Sequence, residues 1–141
     1  MKILVPVDGS PFTKRMLAYL AAHDEWLGGA HQYVIVHAVP AVPARAAAVI
    51  DKATLKAYYD DEGEKVLKPI RTYFLKKPDI DVRYIVKSGS AVDTIVAVAE
   101  KEAVDLIMMG SHGHSSLGNL VMGSVATKVM AHCKTPVLLV R

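Results

Sequence analysis

The chain has only one cysteine, Cys133, among its 141 residues. One thiol cannot form an internal disulfide, which excludes a disulfide-held fold and favours a cytoplasmic location. Long hydrophobic runs are also lacking, since none approaches the ~20 residues that a transmembrane helix needs. Met1-Lys2 leads directly into a strand-like run without a small-residue cleavage site. We therefore expect neither a membrane span nor a signal peptide, and we expect Cys133 to be a buried small hydrophobe.

Strong charge of either sign is lacking as well. The chain has 17 Lys and Arg against 14 Asp and Glu, a net charge of +3. The basic residues are scattered, so we expect no nucleic-acid surface, although a mild positive charge can attract a polyanionic ligand. No repeat, low-complexity tract or linker interrupts the sequence, which predicts one domain over residues 1–141. The 52% hydrophobic content favours a fully covered parallel sheet or a sizeable subunit interface.

Three common catalytic patterns are missing. No G-x-x-x-x-G-K-[ST] loop is present, so no lysine is placed for the β- and γ-phosphates in that way. No dinucleotide fingerprint is followed by an acidic residue about twenty positions later. No Ser-His-Asp or Cys-His set can be assembled from spacing alone. These absences favour binding over catalysis, and we assign no catalytic residue.

What the chain does have is a regular alternation of strand-like and helix-like segments. Apolar, β-rich runs predict five strands, at residues 3–7, 33–39, 81–86, 104–109 and 136–140. Helical patterns separate these runs. The alternation predicts right-handed βαβ units, and so an α/β fold in which helices cover both faces of a parallel sheet as a three-layer sandwich.

Local signals mark the starts of two helices. Ser10 followed by Pro11 predicts an N-cap and a first helical position. Ser90 and Asp93 predict a capping box for a helix that continues to about Glu102. The expected buried faces are Phe12, Met16 and Leu20 in the first helix, and Ile95, Val96 and Ala99 in the second.

A long amphipathic segment follows a loop in the middle of the chain. Residues 40–48 contain two prolines and much alanine, which predicts a loop. Residues 51–75 predict a helix that Pro69 should kink or split. Its expected buried stripe is Leu55, Tyr59, Val66, Ile70 and Phe74.

Two glycine turns follow the fourth predicted strand. Gly110-Ser111-His112-Gly113 comes directly after the strand, and Gly123-Ser124 follows after nine further residues and opens the helix 125–132. Glycine has no Cβ, so backbone N–H groups there can converge on an anion next to a helix N-terminus. The sequence predicts a phosphate cradle, with Ser124 as the N-cap of the helix.

The spacing G-x-x-G-x9-G-[ST] resembles the nucleotide-binding motif of the universal stress protein family, in its ATP-binding branch. The opening KILVPVDGS and the closing TPVLLVR are also similar to that family. The likeness follows the whole chain in order, although residues 39–77 contribute little to it. It implies an adenine nucleotide alpha-hydrolase-like, Rossmann-like fold with sheet order 3-2-1-4-5. In that order the strand ends at Asp8 and Gly110 are neighbours, where such sheets bind ligands.

The resemblance also assigns a set of nucleotide-binding residues. It places Asp8 beside the base and ribose, and the backbone near Val7 and Ala38 against the adenine. It places the N–H groups of Ser124 and Val125 at the phosphate. The full set is Pro6, Val7, Asp8, Ala38, Met109, Gly110, His112, Gly113, His114, Gly123, Ser124 and Val125.

Two histidines lie inside the glycine motif. His112 and His114 have no third ligand of matching spacing, so we expect no metal site formed by protein ligands. His114 stands where related sequences commonly have Lys or Arg, and a neutral imidazole compensates phosphate charge less well. The other histidines are expected on helix or strand surfaces without chemistry: His23, His31, His37 and His132.

The resulting hypothesis is a cytoplasmic stress-response or signalling module that binds ATP, with hydrolysis slow or absent unless a partner protein acts on it. One alternative is an ATPase that uses Asp8 and a divalent ion, Mg or Mn. Another is a structural homodimer that binds no nucleotide.

The apolar run Val137–Val140 bears on assembly. In the implied sheet order it forms an edge strand, and natural proteins cover or pair such edges. Antiparallel pairing with a second copy predicts a homodimer. A monomer whose edge is shielded by its own loop or helix is the alternative.

Overall fold

Five parallel strands form one sheet in the computed structural model, which describes residues 1–114 and 122–141. The sheet order is β3-β2-β1-β4-β5, as the resemblance implies. All four pairings are parallel. The strands are β1 (Lys2–Pro6), β2 (Gln32–Val39), β3 (Asp81–Ser88), β4 (Leu106–Gly110) and β5 (Val137–Val140).

Helices cover both faces of the sheet within the described residues. They are α1 (Pro11–Ala22), α2 (Asp24–Leu27), α3 (Ala44–Ala47), α4 (Lys52–Leu75), α5 (Ala91–Lys101) and α6 (Ser124–His132). Helices α1 and α4 bury apolar residues against one face, and α5 and α6 against the other. Each fully buried Leu or Ile contributes about 1.5–3 kcal/mol, so the two apolar clusters hold the layers together. The predicted three-layer α/β architecture is therefore confirmed.

Because side chains alternate along each strand, the sheet contributes residues to both apolar clusters. Tyr33 and Ile35 of β2 join the cluster under α1 and α4, whereas Val34 and Val36 join the cluster under α5 and α6. Successive side chains of a strand point to opposite faces, so a strand covered on both sides is apolar throughout. Cys133 is half-buried and packs on the second cluster, as a small hydrophobe would.

In the middle of the chain one prediction is wrong and one is narrowed. Part of the expected loop forms a short helix, α3. Of the two effects predicted for Pro69, the split does not occur, since α4 continues as one helix from Lys52 to Leu75, and the kink stays a prediction. Proline removes one backbone hydrogen bond from a helix. However, Leu67 and Ile70 on either side of it are each 1% exposed, and their burial outweighs that loss.

The predicted buried stripes are partly wrong, and tertiary contact explains why. In α4 only the second half, from Gly63 onward, has buried residues, so Leu55 and Tyr59 are half-buried. A Cβ on Gly63 would lie 2.8 Å from a methyl group of Val86, which shows how closely α4 approaches β3 there. The further differences are Thr13 buried in place of Phe12, Leu67 in place of Val66, and Val98 in place of Val96.

The helix starts follow the sequence with one exception. Ser10 is the N-cap of α1, with Pro11 at the first position. The hydroxyl of Ser90 accepts from the Asp93 N–H at 3.3 Å, as in a capping box. The N-cap of α6 is Gly123 and not Ser124, because the Gly123 carbonyl oxygen already accepts from the Thr127 N–H at 3.1 Å. Ser124 is therefore the first helical residue.

The strand order reverses beside β1. β1 pairs with β2 on one side and with β4 on the other. From β1 the chain continues to β2 and β3 on one side of the sheet, and it then crosses back to β4 and β5 on the other side. The carboxyl ends of β1 and β4, at Pro6 and Gly110, therefore open onto one crevice. No helix among the described residues is long and apolar enough to cross a bilayer.

Candidate functional site

A cavity of about 350 Å³ lies at this crevice. The ends of β1, β2 and β4 form its floor, and α1, α5 and α6 supply side walls. All twelve residues of the predicted set line it, although they come from four separate stretches of the sequence: Pro6, Val7, Asp8, Ala38, Met109, Gly110, His112, Gly113, His114, Gly123, Ser124 and Val125. The fold thus brings the whole set together around one space large enough for a small molecule.

Sequence reasoning missed nine further lining residues. They are Phe12, Thr13, Val36, His37, Ala91, Thr94, Ile95, Ser111 and Ala126. His37 was expected on a helix or strand surface without chemistry, and the expected surface position is wrong. It is 8% exposed, and its Nδ1 lies 2.8 Å from the Val7 carbonyl oxygen. The one signal in the sequence was a polar side chain within an otherwise apolar strand, because such a side chain, once buried, needs a hydrogen-bond partner.

Asp8 is held in one orientation by the turn that follows it. Its Oδ1 accepts from the Ser10 N–H at 2.9 Å and from the Thr13 hydroxyl at 3.1 Å. The Asp8 N–H donates to the same hydroxyl at 3.3 Å. Burial alone would raise the pKa of the Asp8 carboxyl, but these hydrogen bonds and the nearby His114 outweigh it and hold the pKa below its ordinary value. Asp8 is therefore a carboxylate at neutral pH.

The glycines of the motif allow a close approach that a side chain would block. A Cβ on Gly113 would lie 2.6 Å from Oδ2 of Asp8. A Cβ on Gly123 would lie 3.0 Å from the His112 Cα and 3.1 Å from the Ser111 carbonyl oxygen. The Gly123 N–H donates to that carbonyl at 2.7 Å, which closes the loop on itself. The two glycine turns pack on each other and leave the cavity open.

The N-terminus of α6 faces the cavity through Gly123, Ser124, Val125 and Ala126. The first amides of a helix have no partner within the helix, and the helix dipole makes this end attractive to anions. No acidic residue lies in the first turn of α6. No Lys or Arg is among the residues that line the cavity in the described part of the chain. An anion here would thus be held by backbone amides and by imidazole.

The two motif histidines flank the opening of the cavity. His112 lies against the Phe12 ring with centroids 5.1 Å apart, and its Nδ1 is 2.9 Å from the Ser111 hydroxyl. The Nε2 of His114 is 2.6 Å from the backbone oxygen of Asp8. Within the ranges 1–114 and 122–141, no three His, Cys, Asp or Glu side chains are grouped as metal ligands would be.

The comparisons with known proteins agree with this fold. The universal stress protein family matches residues 1–141. A universal stress protein of Thermus aquaticus is 30% identical over 139 residues, which cover 99% of this chain and 97% of the relative. The solved structure of Methanocaldococcus jannaschii MJ0577 is 28% identical with a TM-score of 0.77, covering 99% of this chain and 94% of that one.

A further solved relative carries a nucleotide. That universal stress protein, crystallised in complex with cAMP, is 25% identical with a TM-score of 0.62 and covers all of this chain and 97% of its own. The family match over residues 1–141 gives the conclusion that this chain belongs to the universal stress protein family.

Proposed function

We propose that this chain binds an adenine nucleotide in the cavity at the ends of β1 and β4 and acts as a stress-response or signalling module. The observation that carries the proposal is the cradle formed by Gly113, Gly123 and the start of α6. A Cβ on Gly113 would lie 2.6 Å from Oδ2 of Asp8, and one on Gly123 would lie 3.0 Å from the Cα of His112. The two turns can therefore pack this closely beside the N-terminus of α6 only because both positions are glycine, and the amides at that N-terminus are where a phosphate would bind. The cAMP complex of a relative supports the ligand class.

The base would lie at the other end of the cavity. Pro6, Val7 and Ala38 offer apolar surface and backbone polar groups there, and Met109 adds a buried wall. A base edge can be recognised by backbone donors and acceptors in a small apolar pocket. Between base and phosphate, the ionised Asp8 is positioned to accept a hydrogen bond from a ribose hydroxyl. We therefore propose adenine over guanine.

ATP is the proposed ligand, and Mg²⁺ or Mn²⁺ would enter the site bound to the phosphates of ATP. Asp8 is the one carboxylate that lines the cavity in the described ranges, so protein ligands alone would hold a divalent ion weakly. No second carboxylate is present there to act as a general base. Hydrolysis by the chain alone should be slow or absent, and a partner protein is the proposed source of any faster turnover.

Calorimetric titration of the purified protein with ATP and GTP, each with and without Mg²⁺, tests this function. We expect ATP to bind at least roughly tenfold more tightly than GTP. Equal affinity for ATP and GTP, or no binding of either nucleotide, would contradict the proposal. Steady turnover by the chain alone that Asp8→Asn abolishes would favour the metal-dependent ATPase instead. Mass spectrometry of gently purified protein would identify the nucleotide that co-purifies.

We also propose a homodimer through β5, in the cytoplasm. Val137, Leu138 and Leu139 are half-buried in one chain although they form the outermost strand. An apolar edge strand is a hazard unless it is covered, and an antiparallel copy about a two-fold axis covers it. A single cysteine suits a reducing compartment.

A further inference from the structure

The ladder between β1 and β2 stops one residue before the cavity. Pro6 and Val36 are the last pair in register. The Val7 N–H then donates to the Val36 carbonyl oxygen at 2.9 Å. In a parallel ladder, the next hydrogen bond would join the Ala38 N–H to the Val7 carbonyl oxygen. The cavity lies where that bond would be, since Val7 and Ala38 both line it.

The Val7 carbonyl oxygen accepts from a side chain. Nδ1 of His37 lies 2.8 Å from it. A carbonyl oxygen only accepts hydrogen bonds, so Nδ1 must carry the proton, which fixes the tautomer of a neutral ring. His37 is 8% exposed, so its ring is largely withdrawn from water. The imidazole therefore satisfies a carbonyl that the ladder would otherwise satisfy with Ala38.

The backbone of Ala38 points to the open side of the ladder. Val36 faces β1, because its carbonyl accepts from Val7, while Val39 faces β3, because its carbonyl accepts from the Gly89 N–H at 2.9 Å. Backbone groups alternate along a strand, so the N–H and C=O of Ala38 face β1, as those of Val36 do. Because β1 ends before this point, the N–H and C=O of Ala38 face the cavity. One donor beside one acceptor matches adenine, whose N1 accepts and whose 6-amino group donates.

We propose that His37 is a positioning residue: its imidazole occupies the Val7 carbonyl and so leaves the Ala38 N–H and C=O free to read the edge of the base. This inference rests on the proposed binding of an adenine nucleotide. Without the imidazole, the unpaired Val7 carbonyl would take the Ala38 N–H and close the ladder. That bond would remove the donor from the pair of backbone groups that distinguishes adenine from hypoxanthine, which presents an N–H and a carbonyl in the reverse order.

The affinities of AMP and IMP for three variants test the proposal. We expect the wild type to prefer AMP by roughly tenfold, and His37→Leu to lose most of that ratio. His37→Asn should restore it, since the asparagine amide nitrogen can take the place of Nδ1 and donate to Val7. His132→Leu is the matched control, because His132 is exposed and bonded only to its own helix. An unchanged AMP-to-IMP ratio in a folded His37→Leu protein would overturn the proposal.

Amide hydrogen exchange of the wild type, without and with AMP, gives a second readout that needs no variant. In the free wild type, the Ala38 amide should exchange faster than the Val36 amide, whose ladder bond is intact, and AMP should slow it. Equal protection of the two amides in the free protein would refute the role of His37. If the Ala38 amide is open but neither AMP nor ATP binds, the proposed function fails while the open ladder stands.

Discussion

Nε2 of His114 lies 2.6 Å from the backbone oxygen of Asp8, although the two residues are 106 positions apart. A carbonyl oxygen accepts, so Nε2 carries the proton. This contact joins the glycine motif to the end of β1 beside the cavity. It places an imidazole there in a cavity whose described lining includes no Lys or Arg.

A permanently charged side chain at position 114 should strengthen nucleotide binding. The contact of His114 with Asp8 places position 114 beside the cavity that we propose for the nucleotide, and a guanidinium there attracts phosphate. His114→Arg should therefore bind ATP about fivefold more tightly at pH 7.5. His132→Arg adds a cation away from the cavity and should leave the affinity unchanged. Calorimetric titration measures both variants, and an unchanged affinity in His114→Arg would remove position 114 from the phosphate site.

Gly123→Val should abolish nucleotide binding. The new side chain would meet the backbone of His112 and Ser111 at about 3.0 and 3.1 Å, and backbone atoms cannot move aside as a side chain can. We expect at least about a tenfold loss of ATP affinity. Ala131→Val, on an exposed position of the same helix, is the control. Gly113→Val should act in the same way through Asp8. Unchanged titration curves for both glycine variants would show that the phosphate lies elsewhere.

Thr13→Val should raise the pKa of the Asp8 carboxyl, since it removes the hydroxyl that donates to Oδ1. The wild-type pKa is depressed. The stabilisation is therefore present above the unfolded value of about 3.9 and is lost as the pH falls through the folded pKa. The variant should lose about 1 kcal/mol of unfolding free energy at pH 7, with a smaller difference near pH 3. Urea denaturation and the carboxyl carbon shift of Asp8 measure this.

Thr72→Val is the matched control for that experiment. The Thr72 hydroxyl donates to the Lys68 carbonyl oxygen within α4, and it is exposed. Its removal should give a small change in unfolding free energy that does not vary with pH. If Thr13→Val behaved like this control, the hydroxyl of Thr13 would have no role in ionising Asp8.

Leu139→Pro should convert the proposed dimer into a folded monomer. The carbonyl oxygens of Pro136 and Val140 accept from β4, so by alternation the Leu139 N–H faces the free edge. Proline there removes an outward donor and spares the internal ladder. Leu138→Pro removes an inward donor and should lower the melting temperature as well. Light scattering at micromolar concentration gives the masses, and a monomeric wild type would refute the dimer.

Local pattern in the sequence was enough for the five strands. Their ends differ from the predicted ends by at most two residues, because periodicity reports burial and not where hydrogen bonding stops. The glycine spacing together with the family resemblance named twelve residues, and all of them line one cavity. Their roles toward a nucleotide stay predictions.

Long-range contact decided the rest. Pro69 stays inside α4 because its neighbours are buried against the sheet. Gly123 rather than Ser124 caps α6, since the Gly123 carbonyl accepts from the Thr127 N–H while the Gly123 N–H donates to the Ser111 carbonyl. His37 gained its partner only when β1 and β2 lay side by side, which joins residues 30 positions apart. Sequence by itself determined which segments form the strands of the sheet and where glycine turns follow the fourth strand. Tertiary structure alone decided which polar groups pair across the cavity, because the partners come from strands that sequence order does not make neighbours.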